Sequence, residues 1–437
     1  MLNVIGSKKR MFSFLHKFLS FIYYKIFQAE ALKYNFFLFK QQCYVKRLRY
    51  KDKIIVVFFA MNVPMWRYQD LYNIMKINAR FKVFIVLSPA QTMSIEQQEN
   101  DLKSLRNYFN RNNISFIDFD SEENRSTCDI RSQINPDILF YPQPYEKILV
   151  KEHRFRQFLD KLICYYPYAF WTSGGKWSYD SFFHNHAWKL FYSTQLNYDD
   201  ARMIATNKGK NVVVTGYPNA DHFLQVPSND PWKKQEAKKK KVIWAPHFTI
   251  EEGITKLYIS NFLWMAEQML EIAHDFSDTI QFAFKPHPRL KTELYKNALW
   301  GKAKTDEYYH KWEIMDNTQL ETEEYINLFL TSDAMIHDCS SFSVEYLYTH
   351  NPVLYISQDI ENLKKEKNSL GKKALDCHYI ANKKEDIILF LREIVIKGQD
   401  GMFDKRILFF KEQLLPPNGK TVAQNTMEVL YKSFRIE

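Results

Sequence analysis

A chain of 437 residues is long enough for two or three domains at roughly 150 residues each. Hydrophobic residues make up 46% and charged residues 25%, a globular balance that excludes an intrinsically disordered chain. The net charge of +10 is confined to one end: residues 1–53 hold twelve Lys and Arg against two acids, and the remainder is neutral.

The first predicted element is a helix over 11–27, where Met11, Leu15, Phe18, Leu19, Ile22 and Ile26 recur at helical spacing. Residues 29–50 continue with aromatics and basic side chains. Two readings stand for this arm of residues 1–53: helices packed on the first domain, or an interfacial helix on anionic lipid. Lys8, Lys9 and Arg10 at the start of a helix oppose its dipole, which favours lipid. The arm matches no nucleic-acid-binding module, so nucleic acid is not an expected partner. Lys17 and Lys25 interrupt the apolar run and no small-residue cleavage site follows, unlike a secretory signal. No stretch reaches the ~18 apolar residues of a spanning helix.

From residue 54 short apolar runs alternate with longer amphipathic ones. Ile54–Ala60, Lys82–Leu87, Ile114–Phe119, Asp137–Tyr141, Leu162–Tyr165 and Val212–Thr215 read as strands of a buried parallel sheet. Residues 226–241, with two prolines and Lys238 to Lys241 in a row, read as a linker. The rhythm restarts with strands at Val242–Ala245, Ile280–Lys285, Ala334–His337 and Val353–Ile356. Helices are predicted at Leu257–Ala273, Thr322–Leu330, Phe342–Thr349 and Lys384–Val395. The expected fold class is α/β, with two Rossmann-like domains facing a cleft and a basic helical arm. The divisions are 1–53 (arm), 54–225 (first domain), 226–241 (linker) and 242–437 (second domain). Ligands of such sheets bind beyond the carboxyl ends of the strands.

The chemistry-bearing segments lie at those ends. His337-Asp338-Cys339-Ser340-Ser341 follows a strand and opens a helix, where Ser340 and Ser341 are placed to cap and free backbone N–H groups bind phosphate. Cys339 there is placed for a lowered thiol pKa, but it is not expected to act as a nucleophile. Lys285-Pro286-His287-Pro288 holds a histidine between two prolines beside a cation. Trp244-Ala245-Pro246-His247 ends a third strand. Thr215-Gly216-Tyr217-Pro218 is a turn before the linker. The five cysteines are odd in number and widely spaced, with no CxxC, which fits a reducing compartment. The paired acids Asp118/Asp120 and Asp199/Asp200 do not make a metal site, and no Gly-x-Ser-x-Gly of a serine hydrolase occurs.

In order, Thr215–Pro218, Ala245-Pro246, Lys285–Pro288, Asp338–Ser341 and Pro352–Ile356 resemble the marks of the CDP-glycerol glycerophosphotransferase family, whose members build teichoic-acid-type polymers. Gly371-Lys372-Lys373-Ala374 with Tyr379, and Asn418-Gly419-Lys420, resemble its closing segments. The resemblance covers about residues 160–430. It implies a GT-B fold and no catalytic metal or other cofactor. It also implies a CDP-glycerol or similar CDP-polyol donor held mainly by the second domain. His287 would contact the donor pyrophosphate, and Asp338, Ser340 and Ser341 would hold phosphate or glycerol oxygens. Lys285, Gly216 and Tyr217 complete the expected donor side. A hydroxyl of a glycan, lipid-linked or polyol-phosphate acceptor would attack the phosphorus, and CMP would leave. His247 and His184 are the candidate general bases. The chain departs from the family in having no His-Gly-Thr in the first domain; Thr172–Lys176 or His184–Trp188 takes that place. The expected location is the cytoplasm, at the inner face of the cell membrane. The rival readings are a GT-B glycosyltransferase using a nucleotide-sugar and a catalytically degenerate membrane-surface interaction protein.

Overall fold

The computed structural model describes residues 36–118, 129–251, 260–322 and 325–436. The helix expected over 11–27 lies outside them. Thirteen strands among the described residues form two sheets, and every pairing is parallel. In the first lobe β1 is Ile54–Ala60, β2 Phe81–Leu87, β3 Ile117–Asp118, β4 Ile138–Tyr141, β5 Leu162–Tyr165, β6 Lys189–Tyr192 and β7 Val212–Val214, in the order β3-β2-β1-β4-β5-β6-β7. In the second lobe β8 is Lys240–Ala245, β9 Ile280–Phe284, β10 Thr318–Leu320, β11 Ala334–His337, β12 Val353–Ile356 and β13 Tyr379–Ala381, in the order β10-β9-β8-β11-β12-β13.

The apolar runs become central strands because both faces are covered. Along β1, Ile54, Val56 and Phe58 enter one core cluster while Val57 and Phe59 enter another across the sheet. Along β8, Val242 and Trp244 face one cluster and Ile243 and Ala245 the other. Side chains two apart share a face, so a strand buried on both sides must be apolar throughout. β6, β10 and β13 add to the strands predicted from sequence.

The boundaries differ at three places. Part of the basic arm is structural: a helix over 36–48 buries Gln41, Val45 and Leu48, and the Gln41 amide donates to the His186 carbonyl at 2.9 Å. Lys51 pairs with buried Asp137 at 2.5 Å. The stretch 226–241 is anchored, since Trp232 is buried and its indole N–H donates to Thr331 Oγ1 at 3.1 Å. Within the lysine run, Lys240 pairs with Asp333 and Lys241 with Asp230. Finally the chain returns to the first lobe. The helix Val422–Phe434 starts at a Thr421/Gln424 capping box and lays Ala423, Met427, Leu430 and Phe434 on the first-lobe core. This helix had been expected to lie with the second domain.

The return crossing touches the outgoing one. A Cβ on Gly216, at φ +102°, would meet Val422 Cγ2 at 2.9 Å and Pro416 Cβ at 3.1 Å. Only glycine fits that backbone and that approach.

Candidate active site

The carboxyl ends of β8, β9 and β11 meet at the face of the second lobe that looks toward the first. Asp338, just beyond β11, is 2% exposed. One carboxylate oxygen accepts from the His247 backbone N–H at 2.6 Å and the other from the Asn261 N–H at 2.5 Å. Asp338 thus ties the loops after β8 and before the helix Phe262–Asp275 to the end of β11. Burial raises its pKa to about 6, against the opposing pull of those N–H groups.

The two histidines after β8 and β9 lie together, with ring centroids 5.0 Å apart. The His287 N–H donates to the Pro246 carbonyl at 3.0 Å, fixing one loop on the other. His287 Nδ1 accepts from the Arg289 N–H at 3.1 Å, and His247 Nδ1 is engaged by the Thr249 hydroxyl at 3.0 Å and faces its N–H at 3.4 Å. A ring nitrogen that accepts a backbone N–H puts the proton of the neutral imidazole on Nε2. Burial, with Arg289 and Lys285 nearby, lowers His287 to about 3; burial, with His287, Lys367 and Arg289, lowers His247 well below the usual range. Both rings are neutral donors at pH 7.

Lys285 and Lys367 put buried cations beside them, at 6% and 3% exposure. Both lower the Cys339 thiol electrostatically. Lys367 Nζ lies 3.5 Å from Ser340 Oγ, and burial lowers it to about 8. Among the described residues no carboxylate forms an ion pair with Lys367. Two buried lysines, two imidazole N–H donors and a serine loop are the kind of donor set that can hold a polyanion. Among the described residues no group of three or more His, Cys, Asp or Glu side chains is placed to hold a metal ion.

The serines do not cap. The helix Phe342–Glu345 is four residues long and has no side-chain cap. Ser340 Oγ instead bonds Thr172 Oγ1 of the first lobe at 2.6 Å. Ser341 lies over Glu345, which is buried and raised in pKa by that burial. The Arg67 guanidinium from the first lobe opposes the rise. Cys339 is also unlike the sequence expectation. Its thiol donates to the Ala245 carbonyl at 3.1 Å, and burial pushes its pKa well up, so it is no nucleophile.

Gly216 and Tyr217 sit in the inter-lobe core rather than in the open cleft. Tyr217 stacks on Phe170 at 4.1 Å, and its hydroxyl belongs to the group of Glu345 and Arg67 beneath Ser341. His184 lies apart from the other histidines, in the wall of a first-lobe cavity. Its Nδ1 is 2.7 Å from Ser181 Oγ, and burial lowers it to about 4.

The lobes meet along a seam that sequence reasoning missed. Ser173 and Lys367 form an isolated antiparallel bridge, Gly174 N donates to Glu366 O at 2.8 Å and Asn368 N to Thr172 O at 3.0 Å. Asp200, from one of the acid pairs, accepts from the Ser369 hydroxyl at 2.6 Å. A Cβ on Gly371 would lie 2.7 Å from the Thr172 carbonyl oxygen. Gly371→Ala should therefore push Thr172 off Ser340, costing about 1–3 kcal/mol of stability and weakening donor binding. Thermal unfolding and calorimetry check this, and unchanged values would show the seam to be loose.

The family model described as CDP-Glycerol:Poly(glycerophosphate) glycerophosphotransferase matches residues 184–391, a span that includes His247, His287, Asp338 and Lys367. That span is a little under half of the chain, and over it the chain is similar to this family. The match supports an enzyme that moves a CDP-linked glycerol or polyol phosphate to an acceptor. No curated protein matches its sequence significantly. Among solved structures, a variant of the wall teichoic acid polymerase TagF is 13% identical with a TM-score of 0.55, over 94% of this chain and 98% of that one. The UDP-GlcNAc 2-epimerase from Neisseria meningitidis bound to UDP-GlcNAc is 12% identical with a TM-score of 0.52, over 87% and 100%. The S. aureus MnaA–UDP structure is 13% identical with a TM-score of 0.51, over 88% and 97%. At these identities the likeness shows the fold, a GT-B-like pair of parallel-sheet lobes.

Proposed function

We propose that this enzyme binds the pyrophosphate of CDP-glycerol at the ends of β8, β9 and β11 and transfers the glycerol phosphate to a hydroxyl of a glycan or polyol-phosphate acceptor, releasing CMP. The observation that carries the reading is the pair of buried lysines beside two Nε2–H imidazoles. His287 and His247 donate to pyrophosphate oxygens, and Lys285 and Lys367 neutralise the charge that grows there as the P–O bond to CMP breaks. Ser340 and Ser341 hold phosphate or glycerol oxygens. Asp338 keeps the loops in place and does not touch the donor. His247 then serves as a donor rather than a base, because its Nδ1 is engaged within its own loop. His184, on the first-lobe side, is the remaining candidate to receive the acceptor proton.

The acceptor enters from the first lobe, within residues 54–225, and the donor is held from residue 242 onward. The basic residues of 1–53 suit an anionic membrane surface, placing the enzyme at the inner face of the cell membrane. Among the described residues no helix is long and apolar enough to cross a membrane.

Calorimetry with CDP-glycerol, CDP-ribitol, UDP-N-acetylglucosamine and CMP tests the reading. A CDP-polyol should bind best, and His287→Ala should weaken it by about tenfold or more. Binding of the UDP-sugar alone would assign the cleft to sugar transfer and overturn the reading.

A further inference from the structure

Two buried histidines lie outside the donor contacts. His337 ends β11 with 0% exposure, and His378, beyond the helix Ser369–Leu375, is 2% exposed. Burial lowers both, His378 to about 3 and His337 well below its usual range, so both rings are neutral. A neutral imidazole has one donor and one acceptor, and a buried one must place each of them.

Their neighbours fix where each proton sits. His378 Nδ1 lies 2.8 Å from the Ala374 carbonyl, which can only accept. His378 therefore carries its proton on Nδ1 and leaves Nε2 as an acceptor. His337 Nδ1 accepts from the Cys339 backbone N–H at 3.1 Å, so His337 carries its proton on Nε2. The two Nε2 atoms are 3.2 Å apart. The remaining donor thus meets the remaining acceptor, and no other assignment of two neutral rings satisfies all three contacts. The result is a directed chain from Cys339 N–H to His337, from His337 to His378, and from His378 to Ala374. An added proton on either ring would set two donors against each other.

The chain joins two parts of the donor site that the sequence separates. At one end, Cys339 is the residue before Ser340. At the other, the helix Ser369–Leu375 is entered through Lys367 and Asn368, and the Asn368 side chain caps it by accepting from the Gly371 N–H at 2.8 Å. Lys367 Nζ lies 3.5 Å from Ser340 Oγ. The serine loop is therefore held to this helix at both ends, at Lys367 directly and at Ala374 through the two rings. Tyr355 stands edge-on to His337 at 5.1 Å, and its hydroxyl donates to the Asp338 carbonyl at 3.1 Å, fixing the backbone between His337 and Cys339. Directional hydrogen bonds in a low-dielectric interior hold such a geometry more strictly than packing alone.

We infer that His378 is a positioning residue: through His337 it sets the serine loop at the distance from Lys367 that the glycerol-phosphate end of the donor requires. The inference rests on the transferase reading for the ligand and on the hydrogen-bond chain for the geometry. The experiment compares the full chain with His378→Phe, which keeps a ring and removes both nitrogens, and with His378→Gln, which restores a donor and an acceptor. His337→Phe cuts the chain at its other ring and takes the place of His378→Phe should that variant not fold. Calorimetry measures CDP-glycerol, CMP and inorganic pyrophosphate. His378→Phe should bind CDP-glycerol about tenfold or more weakly, and His378→Gln should recover it to within about threefold of the parent. CMP lacks the glycerol phosphate, so its affinity should not move. NMR of nitrogen-labelled histidine should show one of the two rings protonated at Nε2 and the other at Nδ1, each assigned by the loss of its signals in its own variant.

Doubly protonated rings or the reversed tautomers would overturn the hydrogen-bond chain. Unchanged CDP-glycerol binding in His378→Phe would overturn the positioning role, as would a His378→Gln variant no better than His378→Phe. CDP-glycerol and CMP weakened by the same factor would also overturn it, since that is the mark of a residue that only supports the fold. A parent that binds pyrophosphate but not CDP-glycerol, with the pyrophosphate weakened in His378→Phe, would sustain the positioning role and sink the transferase reading instead. A parent that binds neither would sink both.

Discussion

Lys367→Met will weaken CDP-glycerol binding by about 100-fold without destabilising the empty enzyme. Truncating one member of a buried charge pair costs about 2–5 kcal/mol of binding. In the empty enzyme, however, this ammonium has no carboxylate partner among the described residues and sits 3% exposed. Methionine of similar length removes a desolvated charge and keeps the packing, so the apo melting temperature should hold or rise. A purely structural lysine would behave in the opposite way.

The same residue gives a pH signature with two opposed slopes. Burial lowers Lys367 from 10.5 to about 8, so between those values the unfolded chain binds more protons than the folded one. Its contribution makes apo stability rise with pH through that window. Donor binding, which needs the ammonium, should fall as pH passes about 8. Urea unfolding and calorimetry across pH 7 to about 10 would separate the two, and Lys367→Met should lose both slopes. Donor affinity within threefold of the parent in the variant would remove Lys367 from the site.

Asp338→Asn should cause the largest loss of stability. The two carboxylate oxygens each accept a buried backbone N–H, from His247 and from Asn261. An asparagine offers one acceptor and turns its amide against the other N–H, at a cost of about 1–3 kcal/mol. Alanine leaves both N–H groups orphaned and costs more. Since the loop after β8 carries His247, donor binding should fall with stability. Folding raises the Asp338 pKa from 3.8 to about 6, so the native state holds the proton more tightly in that interval. The Asp338 contribution is full below the ordinary value and is lost as pH rises through about 6. Asp338→Asn should abolish that part of the pH dependence in urea unfolding; a variant with the parent slope would mean that other carboxylates carry it.

The central strands were readable because burial on both faces leaves no room for polar residues. β1, β5, β11 and β12 follow the predicted apolar runs within a residue. The strands that escaped are short. β10, Thr-Gln-Leu, and β13, Tyr-Ile-Ala, lie at sheet edges, where one flank is unpaired and the apolar requirement lapses. β6 is four residues opening with Lys189, too brief for a period to emerge. His247, His287 and Asp338 were legible because strand ends in α/β sheets converge. Lys367 was not. It stands in Leu363-Lys364-Lys365-Glu366-Lys367, which reads as a solvated face, and only the approach of Ser173 and Gly174 from the other lobe buries it. Thr172 was visible only as the residue standing in for a missing histidine segment. The serines were read as helix caps because sequence cannot show that Ser341 already has helical backbone and that Ser340 turns its hydroxyl to the first lobe.

The two passages of the chain between the lobes, outward at Gly216 and back through Pro416 to Val422, lie against each other. Two adjacent covalent crossings behave as a hinge: rotation about their shared line strains neither, whereas sliding or pulling the lobes apart strains both. The opposite edge is fastened by the hydrogen bonds from Gly174 to Glu366 and from Asn368 to Thr172 and Trp171. The least costly way for a nucleotide to enter is then a swing that unfastens this edge. Closing it again restores the contact of Thr172 with Ser340, so the serine loop is completed only when the molecule is shut.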